Sequence, residues 1–284
     1  MTAETDEDLK ISKATVFLRT FPDSGLTGLV HSELAKMYHR RAEVDNFLKH
    51  GEEALKEIPN LADLLGTMSF YYAETGQPFK AAESATKALA ILGTLEKPVQ
   101  LAPSEWATHK FFLSGESHYA LGRVQLGRAK SSNSNGPEGL ALQEAVKHFK
   151  QTLEANPTQD YASFRLAEAY ERRGDIENVL RMYAWTVAIE GNIAGHAQQR
   201  LDQLYKERQG LTPMEEVLAE QKQAIEKAQQ ERQQLLDQIE AESRPAESTP
   251  AESTPVKITL PSTSPPSQPP QDKLGGKSGA TPRF

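Results

Sequence analysis

Cysteine is absent from this chain of 284 residues, which removes disulfides and thiolate chemistry while leaving the redox compartment open. No run of about 20 apolar residues occurs, so nothing reads as a membrane span. The first ten residues, MTAETDEDLK, are acidic and polar, the opposite of a basic and then apolar signal peptide. Basic charge is scarce as well: 32 Lys and Arg stand against 39 Asp and Glu, a net charge of −7. The last 40 residues hold four basic and three acidic side chains, so the remainder carries −8. A body that acidic lacks the basic stripe that phosphate binding needs, and nucleic acid is not an expected partner.

Catalytic signatures are missing too. The seven histidines, His31, His39, His50, His109, His118, His148 and His196, include no pair at the i, i+4 spacing with an adjacent glutamate that a helical zinc site requires. No glycine-rich phosphate loop, nucleophile elbow or dinucleotide fingerprint appears. His31 and His118 fall on packing positions of helices and read as satisfied core histidines. The expectation is a non-enzymatic protein without cofactor or metal; an enzyme with an unrecognised site is the least favoured alternative.

What the chain does contain is a repeat. Val30 to Pro59 and Leu64 to Gly93 echo each other at an interval of 34 residues: Leu34 and Met68, Ala35 and Ser69, Tyr38 and Tyr72, Ala54 and Ala88, Leu55 and Leu89. A large apolar residue, a small one, an aromatic three positions on and a turn at Gly76 are followed by small residues at Ala81, Ala85 and Ala88. A 34-residue period made of two amphipathic helices resembles the tetratricopeptide repeat (TPR). Allowing two insertions, Gly115 and Gly122 answer Ser69 and Gly76, and Ala167 and Gly174 follow in turn. The second helices keep step at 34, as in Ala145 and Val179, Phe149 and Tyr183, Leu153 and Val187.

The resemblance therefore implies an all-α, right-handed α-α superhelix. Its array covers 28–209, with repeats near 28–61, 62–95, 108–159 and 160–193 and a capping helix at 193–209. The segment GRAKSSNSNGPEG predicts an exposed loop over 126–140. Residues 1–27 hold a polar stretch and, over Ile11 to Pro22, a helix like the second half of a preceding repeat. FLRTFPDSG looks like the repeat helices of bacterial envelope proteins.

Beyond the array, Thr212 and Pro213 open a helix over 213–242. Met214, Leu218, Gln221, Ile225, Ala228, Arg232, Leu235 and Ile239 recur in steps of four and three. That seam fits a short coiled coil that would dimerise the protein, or a single polar helix leaning on the array. Residues 243–284 carry nine of the 17 prolines and a duplicated PAEST unit, and are expected to be disordered. Within them Val256, Ile258 and Leu260 alternate with polar residues as an added strand would.

In the family, the first helix of each repeat lines a concave groove. Carried over, the groove would show Ser32, Lys36 and His39, then Asp63, Phe70 and Glu74, then His109, Phe112, Glu116 and Tyr119, then Tyr161, Phe164, Glu168 and Glu171. The expected function is a scaffold that binds a peptide or helix there, with Phe70, Phe112 and Phe164 as anchors. The basic clamp of TPR co-chaperones is not matched, because its first positions read Ser32, Lys36 and Thr67. The groove carboxylates instead suggest a partner that is apolar with some basic character. As written the sequence reads as cytoplasmic; the alternative is an envelope assembly or secretion accessory factor whose leader precedes Met1.

Overall fold

The computed structural model describes residues 2–129 and 137–243. All regular structure among them is helical: α1 (Thr2–Thr20), α2 (Thr27–Arg40), α3 (Val44–Glu57), α4 (Ala62–Glu74), α5 (Pro78–Thr94), α6 (Pro103–Arg128), α7 (Pro137–Ala155), α8 (Asp160–Arg173), α9 (Ile176–Ile189), α10 (Ala194–Glu207) and α11 (Met214–Glu242). Helices α2 with α3, α4 with α5, α6 with α7 and α8 with α9 pack as consecutive pairs. This is the all-α helix-pair array that the 34-residue period predicts. The tail expected over 243–284, with Val256 to Leu260, lies outside the described residues from 244 onward.

Each pair is closed where small side chains let backbones approach. Ala35, Ala81 and Ala85 are fully buried, as are Ala145, Ala167 and Val179. The turn inside a pair is made by one left-handed residue at a repeating position: Gly76 (φ +73°), Gly174 (φ +74°) and, in the first repeat, Ala42 (φ 56°). The same backbone bond closes all three, from Gln77 N–H to Tyr72, Asp175 N–H to Tyr170 and Glu43 N–H to Tyr38, at 2.8, 3.1 and 3.0 Å. Glycine takes φ > 0 without strain, whereas Ala42 does so at a cost.

The third repeat departs from this plan. Gly122, which the period aligns with the turn glycine Gly76, lies inside a 26-residue helix. A β-carbon there would sit 2.7 Å from the Phe149 ring, so this glycine serves close packing between α6 and α7 rather than a turn. Both ends of the loop expected over 126–140 are helical among the described residues, α6 running on to Arg128. Leu126 and Ala129 are buried, Arg172 donates to both their carbonyls at 2.7 and 2.8 Å, and α7 resumes at Pro137. Much of the insertion is spent on longer helices.

At the other end α1 starts well before the expected Ile11, because its acidic residues meet the basic end of α2. Arg41 donates to Asp8 at 2.6 Å and to Glu7 at 3.2 Å, opposing charges that a polar helix can use. The core is continuous within each half: Phe47, Met68 and Tyr72 centre one cluster, while Tyr119, Phe149, Leu166 and Tyr183 centre the other.

Candidate peptide-docking face

Helices α2, α4, α6 and α8 bring nine of the fourteen residues expected in the groove, Lys36, His39, Asp63, Phe70, Glu74, Tyr119, Tyr161, Phe164 and Glu168, into one connected row. Lys36 and His39 line a hollow of about 210 Å³ with Asp63 and Thr67. The His39 ring meets Tyr71 edge-on at 5.6 Å, Tyr71 meets Phe70 at 5.3 Å, and Phe70 lies 4.9 Å from Tyr119 and 5.9 Å from Tyr161. From Tyr119 the row becomes ionic. Its hydroxyl donates to Glu74 at 2.6 Å, the Arg123 Nε donates to the same carboxylate at 2.8 Å, and Arg165 bridges from Glu74 at 3.6 Å to Glu168 at 3.0 Å. The Arg165 guanidinium also covers Phe164 at 5.7 Å.

The electrostatics follow from burial set against these partners. Burial alone would raise the Glu74 carboxyl; the Tyr119 hydroxyl and the two guanidiniums outweigh it and hold the group below its ordinary value. The Tyr119 phenol is pushed well up, first by burial and then by the Glu74 charge. Arg165 is likewise raised: its desolvation is overcome by Glu168 and Tyr119.

Three expected groove positions are not open, Ser32 on α2, which is 5% exposed, and two on α6. Tyr119 is fully buried and Glu116 is 8% exposed. For these two the reason is the length of α6, whose buried face receives α7 and the turn before α8; Gln159 from that turn donates to Glu116 at 3.2 Å. Phe70 and Phe164 are half-buried, Phe164 against Tyr183 at 5.3 Å. Phe112, 42% exposed, stands apart from the row. It lines a cleft of about 610 Å³ between α6 and α11, with Thr108, Leu236, Asp237 and Glu240.

Helix α11 is the largest feature that the period does not announce. It lies along α9 and α6 of its own chain and buries Val217, Gln221 and Ile225. The seam that fits a dimerising coiled coil is thus turned inward over much of its length. Arg232 lies over the Phe111 ring at 5.4 Å, and Leu235 remains 44% exposed. Its far end is fixed by Glu240, which accepts from the Ser104 backbone N–H at 3.2 Å and hydroxyl at 2.9 Å, at the open amino end of α6. A seam of apolar steps specifies a partner surface but not whose.

The histidines form pairs that linear spacing hides. His31 and His50 approach Nδ1 to Nδ1 at 2.9 Å across α2 and α3, and His118 and His148 at 3.2 Å across α6 and α7. Burial, and then the facing imidazole, pushes both His50 and His118 down to about 4, so each is neutral near pH 7. No group of three or more possible metal ligands occurs among the described residues. None of their helices is long and apolar enough to cross a membrane.

No family model matches the chain, and no curated protein sequence matches it. Among solved structures it is similar to one described as "Crystal structure of MamA protein", at 19% identity over 78% of this chain and 98% of that one, with a TM-score of 0.43.

Proposed function

We propose that the protein is a non-enzymatic interaction scaffold that docks a peptide or helix of a partner protein on the face made by α2, α4, α6 and α8. One observation carries the reading: aromatic and ionic side chains from all four helices meet in a single row in which His39, Phe70, Tyr71, Glu74, Arg123, Tyr161 and Phe164 are half-exposed around the buried Tyr119. Half-exposed aromatics in fixed positions supply contact area at little entropic cost, the usual make-up of binding hot spots. The acidic balance of the chain favours partners with basic character over nucleic acid.

Affinity capture from lysate with the full chain, compared with Tyr161→Ala, Phe164→Ala and Phe112→Ala, tests it. The first two variants should each weaken capture of the same partner by about 2 kcal/mol or more while the domain stays folded. Capture that depends on Phe112 alone would move the site to the cleft beside α11. Capture indifferent to all three would end the proposal.

A further inference from the structure

Arg232 breaks the seam of α11. Where the steps of four and three call for an apolar side chain, a guanidinium meets the array instead, half-buried and 5.4 Å from the centre of the Phe111 ring. Taking such a group out of water is costly unless an anion compensates it. No carboxylate among the described residues is in place to do so. Glu231 beside it pairs with Lys227 at 3.7 Å, and burial holds the Arg232 pKa below its ordinary value.

Arg232 also borders a hollow of about 400 Å³ walled by α6, α7, α9 and α11. Phe111, Leu153, Pro157, Trp185 and Leu235 make that hollow mainly apolar. The Trp185 indole N–H donates to the Pro157 carbonyl at 2.9 Å, which fixes the ring in the wall. With Glu231 already paired, two cations, Arg232 and the exposed Lys150, stand against one remaining carboxylate, Glu154. On a chain of net charge −7 this hollow is therefore locally positive.

We propose that the hollow binds a small organic acid, whose carboxylate meets Arg232 and whose flat apolar body lies against Phe111, Leu153 and Trp185. A guanidinium over an aromatic ring keeps its N–H edge for a planar carboxylate, which it can hold by two parallel bonds. The volume lies in the range of small-molecule pockets, about 300 to 1,000 Å³. Glu154 disfavours a dianion, so a carboxylate suits the site better than a phosphate ester. Because α11 supplies one wall, the bound acid also holds that helix to the array. The site lies outside the row from His39 to Phe164, so it stands or falls separately from the docking face.

The test titrates the isotope-labelled full chain at pH 7 with benzoate, phenylacetate and naphthoate, each beside its neutral primary amide. The indole N–H resonances of the two tryptophans report the site: Trp185 lines the hollow and Trp106 does not. At least one carboxylate should move the Trp185 signal, leave that of Trp106, and bind about tenfold or more tightly than its amide, equivalent to about 1.4 kcal/mol. In Arg232→Gln acid and amide should bind alike, with amide exchange from Gln233 to Glu242 checking that α11 stays docked. Should α11 detach in that variant, the Arg232 Nε–H resonance of wild type decides alone: the carboxylate should shift it and the amide should not.

No movement of the Trp185 signal at millimolar concentrations of any of the three acids overturns the proposal. So does equal affinity of acid and amide in wild type, or a preference for the acid that survives Arg232→Gln with α11 in place. Phenyl phosphate binding more tightly than every carboxylate would also overturn it, since the site would then select a dianion.

Discussion

The pairs α2 to α5 and α6 to α9 build the same motif under different constraints. In the first two repeats the period is uninterrupted, the helices run 13 to 17 residues, and each pair turns on one left-handed residue. In the third, α6 and α7 run 26 and 19 residues and the turn glycine has become a packing glycine, while α11 rests on α9 and on the amino-terminal half of α6. An insertion into a solenoid thus need not be a loop. When its residues include an apolar one such as Leu126, which is buried, lengthening a helix covers more surface than a loop would.

The sharpest way to break the comparison is at Phe149. It is fully buried in the long pair and its ring occupies the space above Gly122. Phe149→Ala should destabilise by about 3 to 5 kcal/mol in chemical denaturation. Gly122→Ala in the wild-type background should also destabilise, by about 1 to 3 kcal/mol of overpacking, but become favourable once Phe149 is alanine. Among the short helices, where α3 of one pair meets α4 of the next, Gly51→Ala meets the flexible Met68 side chain instead and should be close to neutral. Equal costs at Gly51 and Gly122 would mean that the two pairs pack alike.

Each region also holds one histidine pair, and acid separates them. With folded values near 4 for His50 and His118, against an ordinary value near 6.5, the unfolded chain binds protons that the folded chain refuses. The stability these groups contribute is complete above about pH 6.5 and is lost as pH falls toward 4. His31 and His148 are lowered too, chiefly by burial, and act in the same sense. Glu116 opposes them: its carboxyl is raised from about 4.5 to about 7, so its contribution is complete below about 4.5 and fades as pH rises through 7. Urea midpoints between pH 5 and 7 should therefore rise with pH. The slope should shrink in His50→Gln and in His118→Gln, and grow in Glu116→Gln.

The turns give a smaller contrast. Ala42→Gly should stabilise by roughly 1 kcal/mol, since glycine removes the strain of φ > 0 at a position where the second and fourth repeats already have it. Gly76→Ala and Gly174→Ala should cost a similar amount. Opposite signs at equivalent positions are the signature to look for in thermal melts.

How much of this was legible depends on the range of the interaction. The pairing of α2 to α5 and the small residues at their crossings follow from spacing alone, because an interval of 34 returns the chain to the same face. The period aligns Gly122 with a turn because glycine serves both turns and close approaches, and only Phe149, some 27 residues on, decides between them. Glu116 and Tyr119 sit at positions that are open in a regular repeat, and they are covered here by residues that the insertion displaces. The histidine pairs join different helices at separations of 19 and 30 residues, which no local pattern encodes. Helix α11 was visible as a seam, but its partner surface on α9 and α6 was not.

The smallest expected effect concerns the end of that helix. Ser104 lies in the first turn of α6, where backbone N–H groups have no partner within the helix, and Glu240 accepts from its N–H and its hydroxyl. A carboxylate at a partly exposed helix amino end is worth about 0.3 to 1 kcal/mol, so Glu240→Gln should barely move the global melting midpoint. Val217, Gln221 and Ile225 hold the near end of α11 without it, and the loss should be local: faster amide exchange from Gln233 to Glu242, with Val217 to Ile225 unchanged. Uniform acceleration along the whole helix would mean that α11 detaches as one body, and that its burial on α9 is weaker than the array it rests on.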